Sequence, residues 1–139
     1  MIIGHERIIA NLKKAVDNNQ ISHSYLFTGE ESIGKRMVAL FFAKTLLCKG
    51  QGVSPCNRCN SCLKFDNLNH PDFKLIEPER NAISKKTIDN LIKNMSIAPL
   101  EGKRKIVVID NSHQMGLEAQ NGLLKTLEEP PSYMTIILI

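Results

Sequence analysis

Short apolar runs alternate along this chain with longer stretches in which apolar residues recur at helical spacing. The runs predict β-strands and the longer stretches predict amphipathic helices, because side chains repeat every second residue in a strand and about every 3.6 residues in a helix. Four strands are predicted in this way, at residues 25–28, 73–77, 105–110 and 135–139. The predicted helices cover residues 3–18, 35–47, 63–68, 85–96 and 114–127.

The order of these elements predicts an α/β fold with a parallel sheet flanked by helices. Parallel strands need long crossovers between them, and helical crossovers cover both faces of the sheet. The runs at 25–28 and 105–110 are both predicted to be buried strands, the second most clearly. With 139 residues, of which 42% are apolar and 23% charged, the chain is expected to form one domain, residues 1–139, that carries a small insertion.

A glycine-containing segment joins the first predicted strand to the second predicted helix. Its sequence, GEESIGKR, fits the phosphate-binding pattern G-x-x-x-x-G-K from Gly29 to Lys35. The glycines let backbone N–H groups close around a phosphate, the helix N-terminus adds partial positive charge, and the lysine reaches the outer phosphates. The sequence therefore predicts a nucleotide-binding fold with Gly29, Gly34 and Lys35 at the phosphates.

The catalytic parts of this predicted site depart from those of a working ATPase. A working loop has Ser or Thr after the lysine to bind Mg²⁺, and this chain has Arg36. The carboxylate expected beside Mg²⁺ is Asp110, although a role as a helix N-cap is an alternative. The next residue is Asn111, whose amide cannot accept a proton, where an ATPase has Glu.

Charge within the loop also disfavours nucleotide. Glu30 and Glu31 lie where phosphate must sit, and like charges at about 4 Å repel by about 4 kcal/mol at an effective dielectric near 20, less for solvent-facing side chains. Arg36 could still hold a phosphate without Mg²⁺. We therefore expect absent or weak ATP binding and no catalytic residues.

Four cysteines within residues 48–62 follow the spacing C-x7-C-x2-C-x2-C: Cys48, Cys56, Cys59 and Cys62. Closely spaced pairs in tight turns suit four thiolates around one Zn²⁺. The residues between them are mostly polar, so a metal and not burial would order the segment. Four ligands leave no open coordination position, which predicts a structural zinc module. Four bystander cysteines, or redox chemistry at Cys56 and Cys59, are the alternatives.

Composition and the two ends of the sequence bear on the cellular location and the partners of the protein. No apolar run approaches the ~20 residues of a membrane span, and residues 1–9 lack the pattern of a signal peptide. We expect a cytoplasmic protein with no membrane partner, in which clustered cysteines bind metal. The net charge of +4 permits contact with nucleic acid without requiring it. The apolar run at 135–139 reaches the last residue, so an N-terminal fragment of a longer protein is expected.

The run LLKTLEEPP at residues 123–131 resembles the signature of bacterial clamp-loader subunits of the AAA+ family. A phosphate loop followed by a four-cysteine insertion is similar to the same family, and the resemblance covers the whole chain. It implies an AAA+ P-loop-type domain in a five-membered loader that helps open the sliding clamp on primed DNA. It also implies candidate subunit contacts, or otherwise a solvated helix end, at Lys125, Thr126, Glu128 and Glu129.

The family contains ATP-hydrolysing motor subunits and a non-motor stator. Arg36, Asn111 and the Asn-His-Pro-Asp segment at 69–72 resemble the stator, which supplies an arginine to a neighbour's ATP site from a region that would lie beyond residue 139. The alternative is an active motor, which would have Asp110 alone to hold Mg²⁺ and no residue that positions the attacking water.

A third class, a free-standing DNA-binding zinc protein, has little support. The four-cysteine segment and its surroundings offer positive charge at Lys49, Arg58 and Lys64, but no aromatic platform and no base-reading helix.

Overall fold

The structure is a computed structural model that describes residues 5–29, 34–50 and 55–139. The helices in these ranges are α1 (Glu6–Asp17), α2 (Lys35–Leu47), α3 (Asn60–Asp66), α4 (Lys85–Met95) and α5 (Leu117–Glu128), with a 3₁₀ turn at Ser112–Gln114. The strands are β1 (Ser24–Leu26), β2 (Phe73–Ile76), β3 (Lys105–Ile109) and β4 (Met134–Leu138).

All four strands are parallel and lie in the order β1-β4-β3-β2. Strand β3 is buried at every position, as its apolar run predicts. Its side chains alternate between two cores: Val107 and Ile109 pack with residues of α4 and α5, and Ile106 and Val108 with residues of α2 and α3. The predicted α/β architecture, a parallel sheet with helices on both faces, is confirmed.

Local signals place several helix ends where the pattern predicts them. Helix α2 spans Lys35–Leu47 as predicted, and α4 begins after Ser84, whose hydroxyl accepts a hydrogen bond from the Thr87 N–H at 3.2 Å. That bond satisfies one of the free N–H groups at the start of the helix. No helix in the described part of the chain combines the length and apolarity needed to cross a bilayer.

Four predicted elements are wrong in position or burial. Helix α1 begins at Glu6 and not at residue 3, after His5, whose backbone is left-handed with φ 61°. Strand β1 is not buried: Leu26 is 65% exposed, because β1 lies at the sheet edge and pairs only with β4 among the described strands. Helix α5 begins at Leu117 and not at residue 114, because Met115 and Gly116 have extended backbone after the 3₁₀ turn. Helix α3 begins at Asn60 and not at residue 63, because the Cys59 Sγ caps it by accepting from the Cys62 N–H.

Candidate nucleotide cleft and metal centre

A cleft of about 680 Å³ lies between the phosphate loop, the start of α2, the segment after β3 and the end of β4. Among the described residues it is lined by Gly29, Gly34, Lys35, Arg36, Met37, Asp110, Asn111, His113 and Ile139. It contains all five residues predicted for the nucleotide site. Gly34 has φ +85°, a left-handed conformation that favours glycine. Residues 30–33, and with them the predicted repulsion from Glu30 and Glu31, lie outside the described residues.

Arg36 forms ion pairs with two carboxylates in this cleft. Its Nη1 lies 2.9 Å from the Asp110 Oδ2 and also contacts the Glu77 carboxylate. Burial alone would lower the pKa of Arg36, but hydrogen bonds and charge from Glu77 and Asp110 outweigh that effect and raise its pKa above the ordinary value. The carboxylate predicted to lie beside Mg²⁺ is thus already paired with a fixed positive charge.

Glu77 was not predicted as a site residue. It directly follows β2, as Asp110 directly follows β3. Because Ile76 pairs with Ile109, the two carboxylates lie side by side at the carboxyl ends of these neighbouring strands. The sequence alone therefore shows a carboxylate at the end of each of two predicted strands. Whether the two carboxylates lie next to each other depends on the strand order, which the sequence pattern does not give.

Lys35 is bound within the phosphate loop. Its Nζ donates a hydrogen bond to the Gly29 carbonyl oxygen at 2.8 Å.

Asp110 Oδ1 accepts a hydrogen bond from the Asn111 N–H at 2.9 Å, and the N-cap of the following 3₁₀ turn is Asn111. The alternative role of Asp110 as a helix N-cap is therefore wrong.

The four cysteine sulfur atoms form a cluster, with all ligand atoms within 4.8 Å of one another. Four thiolates around one Zn²⁺ at bond lengths of about 2.3 Å would be about 3.8 Å apart, so this cluster is close to that arrangement. Cys62 is buried and the other three thiols are half-buried. Residues 51–54 of the predicted module lie outside the described residues.

Backbone N–H groups surround these sulfur atoms. Cys48 Sγ accepts from Gly50 and Cys56, each at 3.3 Å, Cys56 Sγ from Cys59 at 3.2 Å, and Cys59 Sγ from Cys62 at 3.4 Å. Burial alone would raise the pKa of Cys59, but N–H donors outweigh it and lower that pKa to about 6. Burial raises the pKa of Cys62 to about 12. The N–H donors favour thiolates, so the donor set fits a thiolate-bound metal.

Gly50 provides a test of this packing. A Cβ at Gly50 would lie 2.6 Å from the Cys56 Sγ, closer than unbonded atoms approach. We expect Gly50→Ala to weaken binding of the predicted Zn²⁺ by about tenfold, since overpacking displaces a ligand. Competition with a chromophoric chelator measures the change. Gly116→Ala is the matched control, because nothing lies within 4 Å of its added Cβ, and equal affinities for the two variants would contradict the prediction.

The Asn-His-Pro-Asp segment at 69–72 lies beneath this module. Asp72 is 2% exposed, and its carboxylate accepts backbone hydrogen bonds from Leu100 at 2.6 Å, Glu101 at 2.9 Å and Gly102 at 2.8 Å. Burial alone would raise the pKa of Asp72, but these three donors outweigh it and lower the pKa. Glu101 in turn pairs with Lys64 of α3, so the turn at 100–102 contacts the module.

Asp72→Asn is expected to lower the free energy of unfolding by about 2–3 kcal/mol, because an amide nitrogen then faces a backbone N–H donor. Since the folded pKa of Asp72 is depressed, its contribution is complete above the unfolded value of about 3.9 and is lost as pH falls through the folded value. Urea unfolding should thus give a constant difference from pH 7 to about 5. The control is Asp89→Asn, which removes only the exposed ion pair with Lys85 and should change the free energy of unfolding little. Equal losses of unfolding free energy in the two variants would refute this account of Asp72.

The four predicted interface residues lie at the end of α5. Lys125 and Thr126 line a groove between α4 and α5, Glu128 ends α5, and Glu129 follows it. Lys125, Glu128 and Glu129 are exposed and Thr126 is half-buried. Their contact with another subunit stays a prediction.

The fold and the site together define an α/β domain with a parallel sheet, a glycine-lined cleft beside the strand ends and a four-cysteine cluster that could hold a metal ion. The family described as "DNA polymerase III, delta subunit" matches residues 4–139, and the chain belongs to that family. The resemblance to clamp-loader subunits is thereby confirmed.

The similar proteins include both delta' and tau/gamma subunits of DNA polymerase III. The chain is 36% identical over 133 residues to the DNA polymerase III subunit delta' of Bacillus subtilis, covering 96% of this chain and 40% of the relative. It is also 36% identical over 138 residues to the subunit tau/gamma of Haemophilus influenzae, covering 99% of this chain and 20% of the relative. A crystal structure of a gamma subunit-related protein from Thermotoga maritima matches 94% of this chain and 38% of its own, with 26% identity and a TM-score of 0.68.

Proposed function

We propose that residues 1–139 form the N-terminal AAA+ domain, with the zinc module at 48–62 inserted, of the delta prime subunit of a bacterial DNA polymerase III clamp loader. As the non-motor stator, this subunit assembles in the cytoplasm with gamma/tau and delta in a hetero-pentamer. The complex loads the sliding clamp onto primer-template DNA, and this subunit hydrolyses no ATP. The observation that carries the proposal is the ion pair between Arg36 and Asp110.

The reason is electrostatic. A Mg²⁺ ion beside Asp110 would lie close to the Arg36 guanidinium, and a divalent and a single positive charge repel by about 8 kcal/mol at about 4 Å and an effective dielectric near 20. The Arg36 side chain is 44% exposed, so solvent screens much of this repulsion. The position of Lys35 also disfavours nucleotide binding, because its Nζ must leave the Gly29 carbonyl oxygen before it can reach a phosphate.

The second candidate is a gamma/tau-type motor. The observation in its favour is that the cleft keeps Gly29, Gly34 and Lys35 and has a volume of about 680 Å³. The similarity to tau/gamma equals the similarity to delta' in percentage identity, so it does not favour either role.

The two roles differ in what Lys35 does. We expect Lys35→Ala, in the full-length subunit within a reconstituted loader, to leave the steady-state ATPase rate unchanged. A motor subunit carrying this change would lose its share of the hydrolysis, because the lysine binds the outer phosphates. Lys14→Ala on the exposed side of α1 is the control for assembly. A rate that falls with Lys35→Ala but not with the control would establish the motor role.

We further propose that the metal is Zn²⁺ and that it is structural. Four thiolates are the donor set that zinc takes in closed tetrahedral sites, and no coordination position is left for a substrate. Zinc would hold residues 48–50 and 55–62 together, where the described side chains between the cysteines are mostly polar.

A further inference from the structure

A buried histidine lies between the metal module and the sheet. His70 is 4% exposed, and its Nδ1 accepts a hydrogen bond from the Asp72 N–H at 3.0 Å. The neutral ring therefore carries its proton on Nε2, which lies 2.9 Å from the Ser61 Oγ. The Ser61 hydroxyl in turn donates to the Leu47 carbonyl oxygen at 2.5 Å. The bonds thus run in one direction, from Asp72 through His70 and Ser61 to Leu47.

These bonds join the two ends of the four-cysteine segment. Leu47 directly precedes Cys48, and Ser61 directly precedes Cys62. The hydroxyl of Ser61 therefore ties the backbone at the first ligand to the backbone at the last. It has only one proton to donate, so a donor on its other side fixes its orientation, and that donor is the His70 Nε2.

We propose that His70 is a positioning residue for the metal, holding Ser61 so that the first and last cysteines stay at the spacing that one ion requires. This inference rests on the zinc site proposed above. His70 is not itself a ligand, because both ring nitrogens are occupied by Ser61 and by the backbone of Asp72. Burial lowers the pKa of His70, which favours the neutral ring that this arrangement needs.

The rate of zinc release from the intact chain to an excess of a chromophoric chelator tests the proposal. We expect release to be about tenfold faster or more in Ser61→Ala and in His70→Ala, the size of effect seen when groups outside the ligand set are removed. His70→Gln keeps an N–H donor at nearly the same reach and should restore much of the slow release. The double variant His70→Ala/Ser61→Ala should be no faster than the faster single variant, because both changes break the same connection.

A control separates positioning of the metal from general stability. Ile88→Val removes one methylene from the core on the opposite face of the sheet, so it should lower the melting temperature without changing the release rate. A Co²⁺-substituted chain offers a second readout, since ligand-field bands shift when ligand geometry changes. Ser61→Ala removes only one oxygen atom, so it keeps the test valid if His70→Ala does not fold.

Two results would overturn the inference, and they differ. If the wild-type chain takes up no zinc, the metal assignment fails and the role of His70 fails with it. If the wild-type chain binds zinc but Ser61→Ala and His70→Gln release it at the wild-type rate with unchanged Co²⁺ spectra, only the role of His70 fails. In that case His70 and Ser61 contribute only to the stability of the core and not to the spacing of the cysteines.

Discussion

Replacing Arg36 with threonine is expected to strengthen Mg²⁺-dependent ATP binding, which we expect to be absent or weak in the wild-type chain. The change removes the guanidinium from Asp110 and Glu77 and supplies the hydroxyl that a working phosphate loop uses for Mg²⁺. Allowing for solvent screening, we expect a gain of at least tenfold in affinity, about 1.4 kcal/mol. Calorimetry with Mg²⁺–ATP, on the wild-type chain and the variant, measures it directly. Binding is the better test than turnover, because the resemblance to clamp-loader subunits implies that hydrolysis needs a neighbouring subunit's arginine.

Two further variants define what this gain depends on. Arg36→Lys keeps a positive charge near Asp110 and should remain without Mg²⁺-dependent binding. Lys35→Ala, introduced into the Arg36→Thr chain, should abolish the new binding, because the phosphates then lose their lysine. Mg²⁺-dependent binding by the wild-type chain would show that Arg36 does not disable the site, and the motor role would then be favoured.

Substituting Cys62 with serine is expected to remove the metal and unfold the module. Zinc binding of about 10–16 kcal/mol in zinc-finger peptides is also their folding free energy, so loss of a buried ligand should release residues 48–50 and 55–66 from their native structure. Elemental analysis should find about one zinc per wild-type chain and much less in the variant. Hydrogen exchange should show loss of protection in α3 while β3 stays protected.

The matched control for this variant is the next residue along α3. Leu63 is 48% exposed, and Leu63→Ala should keep one zinc per chain and the protection of α3. Zinc in Cys62→Ser equal to that of the wild-type chain would contradict a four-thiolate site. Wild-type chain free of zinc after purification without chelator would contradict the zinc assignment as a whole.

Elements with strong local signals were predicted well. Helix α2 has its predicted bounds because a left-handed glycine precedes it and an extended Cys48 ends it. The Ser84 cap and the fully buried β3 were also correct, since a cap and an apolar run are properties of adjacent residues. Burial of β1 was wrong because an apolar run looks the same in an edge strand and in a central one. The predicted start of α3 was wrong because the cap of this helix is a cysteine sulfur within the four-cysteine cluster.

The sequence by itself determined the class of fold, the phosphate-loop pattern with an arginine after its lysine, and four cysteines at ligand spacing. These features depend on periodicity and on residues close together in the chain. Only the tertiary structure decided what these residues contact: Arg36 pairs with Asp110, 74 positions away, and with Glu77, and His70 holds Ser61 beneath the cysteines. The physical reason is that strand order and helix packing bring together segments that lie apart in the sequence, and local sequence patterns do not specify that order.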